Sequence, residues 1–330
     1  MKLVKLLAIA LVALVAACSQ PKPAQSPAGR TAIRLQTDWR AEAEHGGFYQ
    51  ALATGEYAKR GLDVRIIPGG PGVNVPLLVA SGAVEMGIGS NSFIVMNLAS
   101  EGVPVKAVAA FMQKDPQVLI AHPDVGIGSI ADMKGHPILL ADASKTAFWV
   151  WLKSKYGFSD DQVRSYTFNN APFLADKRIV QQGYLTSEPY TLEKEAHLKP
   201  AVFLLADEGY PGYAGMLLAP DKMISANPAA VRAFVEATAA GWKSYLYGDP
   251  RPADALILKD NPEMTADVLA QAREKMRAYG IVGDGKTTSI GAMSDARWAE
   301  FFKVASDQHV YPKTLDYKRA YTLQFAPPAK

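Results

Sequence analysis

The amino-acid sequence predicts an α/β protein of two lobes, each a parallel sheet covered by helices, joined by two hinge strands. Three observations support this prediction. The chain has 330 residues with 49% hydrophobic content, which is enough for about two domain-sized cores. Strand-like and helix-like stretches alternate, as is typical of parallel sheets with helices on both faces. Two isolated apolar runs, at 117–121 and 213–219, are suited to cross between the lobes.

The first lobe begins with short strand-like runs separated by helical patterns. Residues 47–59 read as a helix because Phe48, Ala51, Leu52 and Tyr57 recur at near-helical spacing, and Gly61 ends the pattern. The pattern predicts strands at 32–36, 62–67, 83–88 and 103–111, and further helices at 75–80 and 93–99.

The alternation restarts in the second half of the chain and then gives way to helices. Asn227 followed by Pro228 is a favourable helix start, as is Thr265. We predict strands at 137–141, 181–185 and 202–206, and helices at 146–156, 228–247, 251–259, 265–279 and 294–308.

The first residues resemble an export signal. Lys2 and Lys5 precede an apolar run of 12 residues at 6–17, which is shorter than the ~20 residues that span a bilayer. The run ends in Val15-Ala16-Ala17-Cys18, which resembles a bacterial lipobox, so we expect lipidation at Cys18; an ordinary signal peptide is the alternative. The proline-containing segment that follows predicts a flexible tether.

These features divide the chain into four expected parts. They are a lipoprotein signal peptide (1–17), a lipid anchor and tether (18–31), a first lobe (32–118 plus 218–330) and a second lobe (119–217).

Composition excludes several classes of function. The net charge is only +3, with Lys+Arg 35 against Asp+Glu 32, and the sequence shows no cluster of lysine and arginine of the kind that binds nucleic acid. Cys18 is the single cysteine, which excludes a disulfide framework and a Cys-rich zinc site. No two of the five histidines are four residues apart, and no nucleophile-elbow or phosphate-loop motif occurs. We therefore expect no metal site, no catalytic triad and no cofactor.

Polar and aromatic residues follow four of the predicted strands, at the sheet edge where open α/β proteins bind ligands. The candidates are Asp38, Trp39, Glu44 and His45; Ser90, Asn91 and Ser92; Ser144, Lys145 and Thr146; and Ser187, Glu188 and Tyr190.

Each candidate has a purely structural alternative. Ser90–Ser92 and Ser144 could cap helices, and Trp39 could belong to the core. His45 could bond to the backbone. Glu188, which precedes Pro189 on a predicted loop, could be a solvated surface carboxylate.

Several stretches together resemble a known family. They are Trp39 with the HGGFY run at 45–49, GEY at 55–57 with GLDV at 61–64, GAVEMGI at 82–88, and NPAAVRAF at 227–234. The sequence resembles the thiamine-pyrimidine-precursor branch of ABC-importer substrate-binding proteins, whose relatives bind nitrate, taurine, sulfonates and riboflavin. The resemblance implies the two-lobed fold of type II periplasmic binding proteins, and ligand contacts at Trp39, His45 and Glu188.

The resemblance also sets the expected function and its alternatives. We expect a periplasmic, lipid-anchored monomer that binds a small heterocycle of the thiamine-pyrimidine-precursor type and delivers it to an ABC permease and ATPase. Riboflavin, or a sulfonate, taurine or nitrate, is the alternative cargo. A surface sensor or adhesion protein on the same fold is another possibility.

An enzyme is a more remote alternative. A fungal pyrimidine synthase of this family consumes its own histidine and a bound pyridoxal phosphate. Its lysine and histidine correspond to Gly89 and Phe93 here, and its cysteine cluster is absent, so we expect no enzyme.

The complete set of predicted ligand-binding residues is Trp39, His45, Asn91, Ser144, Glu188, Tyr190 and Tyr213.

Overall fold

The computed structural model describes residues 29–328. The predicted signal peptide, Cys18 and most of the tether lie outside the described residues. Within the described range, ten strands form two sheets: β1 (Thr31–Gln36), β2 (Leu62–Ile67), β3 (Met86–Asn91), β4 (Val105–Met112), β5 (Gln117–Ala121), β6 (Ile138–Leu140), β7 (Val163–Ser165), β8 (Val180–Tyr184), β9 (Ala201–Leu204) and β10 (Ala214–Pro220).

The helices lie between and after these strands. They are α1 (Gly46–Ala53), α2 (Glu56–Lys59), α3 (Val75–Ala80), α4 (Ser92–Ser100), α5 (Asp142–Lys145), α6 (Phe148–Tyr156), α7 (Ala171–Ala175), α8 (Glu188–Ala196), α9 (Asp221–Ala226), α10 (Pro228–Tyr247), α11 (Arg251–Asp260), α12 (Ala266–Ala278) and α13 (Asp295–Asp307). A short 3-10 turn, Ala43–His45, leads directly into α1.

The first sheet has the strand order β2-β1-β3-β10-β4. Strands β1, β2 and β3 are parallel, and β10 runs antiparallel to both β3 and β4. Side chains of β10 alternate between two buried clusters, with Leu217 and Ala219 in one and Met216 and Leu218 in the other. Both faces of this strand are therefore covered.

The second sheet repeats this arrangement, in the order β7-β6-β8-β5-β9. Strands β6, β7 and β8 are parallel, and β5 runs antiparallel to β8 and β9. The two strands that follow the crossings, β5 and β10, thus enter their sheets in the antiparallel direction. Both sheets are mixed, which differs from the parallel sheets predicted from the sequence.

The chain passes between the sheets twice, at 113–116 and at 205–213, which we call the first and second crossings. We refer to the first sheet with α1–α4 and α9–α13 as the first lobe, and to the second sheet with α5–α8 as the second lobe. The crossings end at 116 and 213, a few residues before the expected boundaries at 118 and 217, since all of β5 lies in the second sheet and all of β10 in the first. Lys114 and Asp207 form an ion pair between the two crossings.

The longest helix, α10, fixes the position of α1 and of the turn before it. The side-chain oxygen of Asn227 accepts the Ala230 N–H at 3.1 Å, and Pro228 occupies the first turn, so the helix begins where the sequence predicted. A Cβ added to Gly47 of α1 would lie 2.1 Å from the ring of Trp242. The two helices therefore cross at a distance that only glycine permits.

Among the helices of residues 29–328, none combines the length and apolarity required to cross a bilayer.

Candidate functional site

A cavity of about 540 Å³ lies between the lobes. Its wall is built from the ends of strands in both sheets and from both crossings, which is where ligands bind in open α/β folds. The lining residues include Asp38, Trp39, Glu42, Glu44, His45, Ser90, Asn91, Met112, Asp115, Gln117, Ser144, Phe148, Tyr166, Phe168, Asn170, Gln182, Tyr184, Ser187, Glu188, Thr191 and Tyr210.

Five of the seven predicted ligand-binding residues line this cavity: Trp39, His45, Asn91, Ser144 and Glu188. Asn91 also caps α4, because its Oδ1 accepts the Phe93 N–H at 3.0 Å. The capping alternative therefore holds for this side chain, and its amide NH₂ group remains available to a ligand.

The structure places Tyr190 outside the cavity, because Glu188 and Pro189 begin helix α8 and do not lie on a loop as predicted. Proline is well tolerated in a first helical turn. The helix turns Tyr190 towards α12 of the first lobe, where its hydroxyl donates to Asp267 Oδ2 at 2.5 Å.

Tyr213 also lies outside the cavity wall. It is the last residue before β10, and its buried hydroxyl accepts the Ser294 N–H at 3.0 Å. The guanidinium of Arg297 sits 4.0 Å from the centre of its ring and donates to the carbonyls of Pro211 and Gly212, both at 2.8 Å. These contacts fix the end of the second crossing to α13.

His45 and Asp38 form a pair at one side of the cavity. His45 Nε2 lies 3.0 Å from Asp38 Oδ1, and only 3% of the histidine is exposed. Burial alone would raise the pKa of Asp38, but its hydrogen bond with His45, the charge of that ring and a hydrogen bond with Ser90 outweigh it and hold the pKa below its usual value. His45 thus positions an ionised Asp38 in the cavity wall.

Glu188 is held on the opposite side by the second lobe. One carboxylate oxygen accepts the Tyr184 N–H at 2.7 Å, and the other accepts the Tyr166 hydroxyl at 3.2 Å. Burial nevertheless raises the pKa of Glu188.

Glu44 and Asp115 are two more carboxylates of the wall. Glu44 accepts a hydrogen bond from the Thr186 hydroxyl, which joins the lobes, and burial raises its pKa. Asp115 lies in the first crossing and accepts the Gln117 N–H at 3.1 Å. Burial raises the pKa of Asp115 to about 7.

Aromatic rings close the cavity from both lobes. Trp39 of the first lobe and Phe168 of the second have ring centres 5.7 Å apart, at an interplanar angle of 43°. Phe168 is 60% exposed and has a φ of 62°, a left-handed backbone conformation that is costly for a bulky residue. Tyr166 lies against Phe168 with ring centres 5.3 Å apart. The two lobes therefore meet through these rings in the cavity wall.

The described lining residues carry no lysine or arginine. Within residues 29–328, no group of three or more His, Cys, Asp and Glu side chains has the arrangement of a metal site. The described wall presents hydrogen-bond acceptors and ring faces to the contents of the cavity, with no lysine or arginine to balance an anionic ligand.

A family model described as NMT1/THI5 like matches residues 42–253, more than half of the chain. This chain belongs to the NMT1/THI5-like family. The resemblance predicted from the sequence is confirmed.

Two characterised relatives of this NMT1/THI5-like protein are binding proteins. The riboflavin-binding protein RibY of Chloroflexus aurantiacus is 26% identical over 97% of both chains. The formylaminopyrimidine-binding protein of Halalkalibacterium halodurans is 23% identical over 83% of this chain and 84% of its own.

Solved structures show the same fold. The periplasmic aliphatic sulphonate-binding protein SsuA of Escherichia coli has a TM-score of 0.66 at 15% identity, over 88% of this chain and 92% of that one. The predicted two-lobed periplasmic-binding-protein fold is confirmed. Family and fold together identify a substrate-binding protein of the ABC-importer type.

The sequence analysis missed three features of this NMT1/THI5-like cavity. Glu42 sits between the recognised residues Trp39 and His45, and its position one turn before α1 was the available signal. Asp115 lies in the first crossing, which no predicted strand or helix includes. Phe168 follows β7, a strand of three residues that is too short for a periodic pattern.

Proposed function

We propose that this protein captures a flat, uncharged nitrogen heterocycle in the interlobe cavity and delivers it to an ABC permease. The observation that carries this proposal is a cavity with aromatic rings from both lobes, five carboxylates and no lysine or arginine in its described wall. Trp39 and Phe168 offer aromatic surface for stacking against the ligand, and the carboxylates accept hydrogen bonds from N–H or O–H groups on its edge.

Delivery requires the lobes to open and close about the two crossings. A ligand favours closure only to the extent that it binds the closed form more tightly than the open form. Contacts that come from both lobes at once, as Trp39 and Phe168 do, exist only in the closed form. They supply this differential affinity.

Two kinds of ligand have a flat ring and N–H groups on its edge: the pyrimidine precursors of thiamine, and riboflavin. The volume of about 540 Å³ is within the ~300–1,000 Å³ usual for drug-sized ligands. It leaves space around a single pyrimidine ring, and a fused three-ring flavin with a polyhydroxyl chain fills it better. Between the two, the cavity favours riboflavin, which is the ligand named for the relative that matches over 97% of the chain.

Sulfonates, taurine and nitrate are poor matches. Their anionic groups are bound by arginine, lysine or several N–H donors together, and a cavity wall of carboxylates would repel them. The SsuA structures support the fold of this chain and not its cargo.

The described residues do not fit pyridoxal phosphate. The described lining residues include no lysine to form an imine and no arginine or lysine to bind the phosphate. Gly89, which corresponds to the synthase lysine, lies in β3 with Leu218 next to it. The cavity therefore supports binding without covalent chemistry.

Calorimetric titration with riboflavin, formylaminopyrimidine, an alkanesulfonate and nitrate tests the proposal. We expect binding of one or both heterocycles and of neither anion. Mass spectrometry of what co-purifies identifies the natural cargo independently. Binding of the sulfonate or nitrate alone, or release of a chemically altered compound, would contradict the proposal.

We also propose that the protein works outside the cytoplasm as a monomer anchored through a lipid on Cys18. The lipobox-like Val15-Ala16-Ala17-Cys18 supports this. Metabolic labelling with a radioactive fatty acid should mark the wild-type chain and not Cys18→Ser. Equal labelling of both would exclude Cys18 as the anchor.

A further inference from the structure

Glu42 differs from the other carboxylates of the cavity. Four of the five have a hydrogen-bond partner in the protein: Asp38 with His45, Glu44 with Thr186, Glu188 with Tyr184, and Asp115 with Gln117. The carboxyl group of Glu42 makes no hydrogen bond to any residue in the described range 29–328, although it is half-buried in the wall. The hydrogen-bonding capacity of this carboxyl group is therefore available to a ligand in the cavity.

The charges around Glu42 are of its own sign. Asp38 and Glu44 approach it from its own segment, and Glu188 approaches it from the second lobe. The nearby basic groups are already paired: Arg40 with Glu263, Arg273 of α12 with Asp254, and His45 with Asp38. Asn261, which precedes α12, donates to the carbonyl of Ala41 at 2.9 Å and not to Glu42. No described cation is positioned to neutralise this carboxylate.

We propose that Glu42, in the form of a neutral carboxylic acid, recognises the ligand through two hydrogen bonds. Its O–H donates to a ring nitrogen or carbonyl of the heterocycle, and its carbonyl oxygen accepts from the adjacent N–H. A protonated carboxyl group offers one donor and one acceptor side by side. Aminopyrimidines and the imide edge of a flavin present the complementary pair. The inference rests on the proposed heterocycle ligand and specifies which hydrogen bonds the edge of that ligand makes.

Two further facts agree with a protonated Glu42. Burial, followed by the charges of Glu44, Asp38 and Glu188, raises the pKa of Glu42 well above its usual value. The described wall has no lysine or arginine, and His45 is already bonded to Asp38, so a second ionised carboxylate beside Asp38 would be repelled by it. An acid that keeps its proton avoids this repulsion and still makes two hydrogen bonds.

The test uses Glu42→Gln and Glu42→Ala, with Glu193→Gln as the matched control on an exposed position of α8. A carboxamide, like a protonated carboxyl group, has one donor and one acceptor side, and it does not ionise. The measurement is the Kd of riboflavin and of formylaminopyrimidine between about pH 5 and about pH 9. Thermal unfolding of each variant confirms that it is folded.

We expect the wild-type Kd to weaken by up to about tenfold per pH unit once Glu42 ionises. Glu42→Gln should match the wild type within about threefold at acidic pH and lose most of this pH dependence, and Glu42→Ala should bind about tenfold more weakly or worse even at acidic pH. Glu193→Gln should follow the wild type.

Two results would overturn the inference while leaving the proposed function intact. One is heterocycle binding with the same pH profile in the wild type and Glu42→Gln. The other is unchanged affinity in Glu42→Ala. If the wild type binds neither heterocycle and binds a different class of solute, the proposed function fails and the inference fails with it.

Discussion

The hydroxyl of Tyr190 donates to Asp267 Oδ2 at 2.5 Å, which joins helix α8 of the second lobe to helix α12 of the first. Lys194, one turn further along α8, reaches the same oxygen at 2.7 Å. Gln271 of α12 donates to the backbone carbonyl of Thr186. We call this set of contacts the interlobe clasp. It lies beside the cavity and makes no contact that requires a ligand.

Loss of the clasp should favour the open form of the free protein. Asp267→Asn removes the charge that Lys194 and Tyr190 share, and the contact is exposed, so high salt should act in the same direction. We expect a larger radius of gyration for this variant by small-angle X-ray scattering without ligand, and a smaller difference once ligand is added.

Asp249→Asn is the control, because Asp249 pairs with Arg251 within the first lobe. Identical scattering from Asp267→Asn and the wild type, at low and high salt, would show that the clasp does not influence closure.

Removal of the ring at Trp39 should weaken binding of either heterocycle. Trp39→Ala loses the stacking surface of the first lobe, and we expect a loss of about tenfold or more in affinity, with a smaller loss for Trp39→Phe. Titration calorimetry measures the effect, and Tyr279→Ala, at the exposed end of α12, serves as the control. Equal Kd values for Trp39→Ala and the control would place the ligand elsewhere in the cavity.

Asp115 should make stability depend on pH. Because burial raises its pKa from 3.8 to about 7, the folded protein binds more protons at this site than the unfolded chain between these values. This stabilisation is present at low pH and is lost as pH rises through about 7, at up to about 1.4 kcal/mol per pH unit.

The matching variant is Asp115→Asn, which keeps an acceptor for the Gln117 N–H. Relative to the wild type, its free energy of unfolding should be higher at about pH 8 than at about pH 4.5, by a few kcal/mol in order of magnitude. Urea unfolding at both pH values measures this, and the exposed Asp124→Asn should show no such difference. A constant offset between Asp115→Asn and the wild type would rule out titration of Asp115.

Gly47 should not tolerate a side chain. A Cβ at this position would lie 2.1 Å from Trp242, so α1 and α10 must separate or the indole must move. Overpacking of this kind costs about 1–3 kcal/mol or more, and we expect Gly47→Ala to lower the free energy of unfolding by at least that amount.

Gly70→Ala is the control for this prediction, since an added Cβ there meets no atom within 4 Å. Equal unfolding midpoints for Gly47→Ala and Gly70→Ala would show that the crossing of α1 and α10 has room to relax.

The sequence predicted most of the fold because local patterns determine it. The bounds of β2, β5 and α10 agree with the prediction to the residue, since each begins or ends at a glycine, a proline or an abrupt change of hydrophobicity. Strand direction was not predictable in this way. Alternation of apolar residues is the same whether a strand runs parallel or antiparallel to its neighbour. The runs at 117–121 and 213–219 were therefore predicted only as strands that cross between the lobes, whereas β5 and β10 lie within the two sheets and run antiparallel to their neighbours.

Site residues that directly follow strands could be predicted from the sequence. Residues on helices could not, because the direction of their side chains depends on how the helix is oriented. Trp39 and Asn91 were found because they stand at strand ends, and both line the cavity. Tyr190 was misplaced because the prediction treated Pro189 as a loop residue, whereas it lies in the first turn of α8 and the helix turns the ring outward. Glu42 was missed although it stands one turn before α1, because its lack of a hydrogen-bond partner among the described residues is visible only in three dimensions.

The position of β10 has a consequence for how the chain acquires its structure. This strand separates β3 from β4 in the first sheet, yet about a hundred residues of the second lobe are synthesised between β4 and β10. A nascent chain that has left the ribosome only as far as the second lobe therefore carries a split sheet with two unpaired edges at its centre. The first lobe can close only after the second has been made, and pairings over such sequence separations form slowly. The second lobe can therefore be completed before the first. A chain truncated before β10 lacks the middle strand of its first sheet.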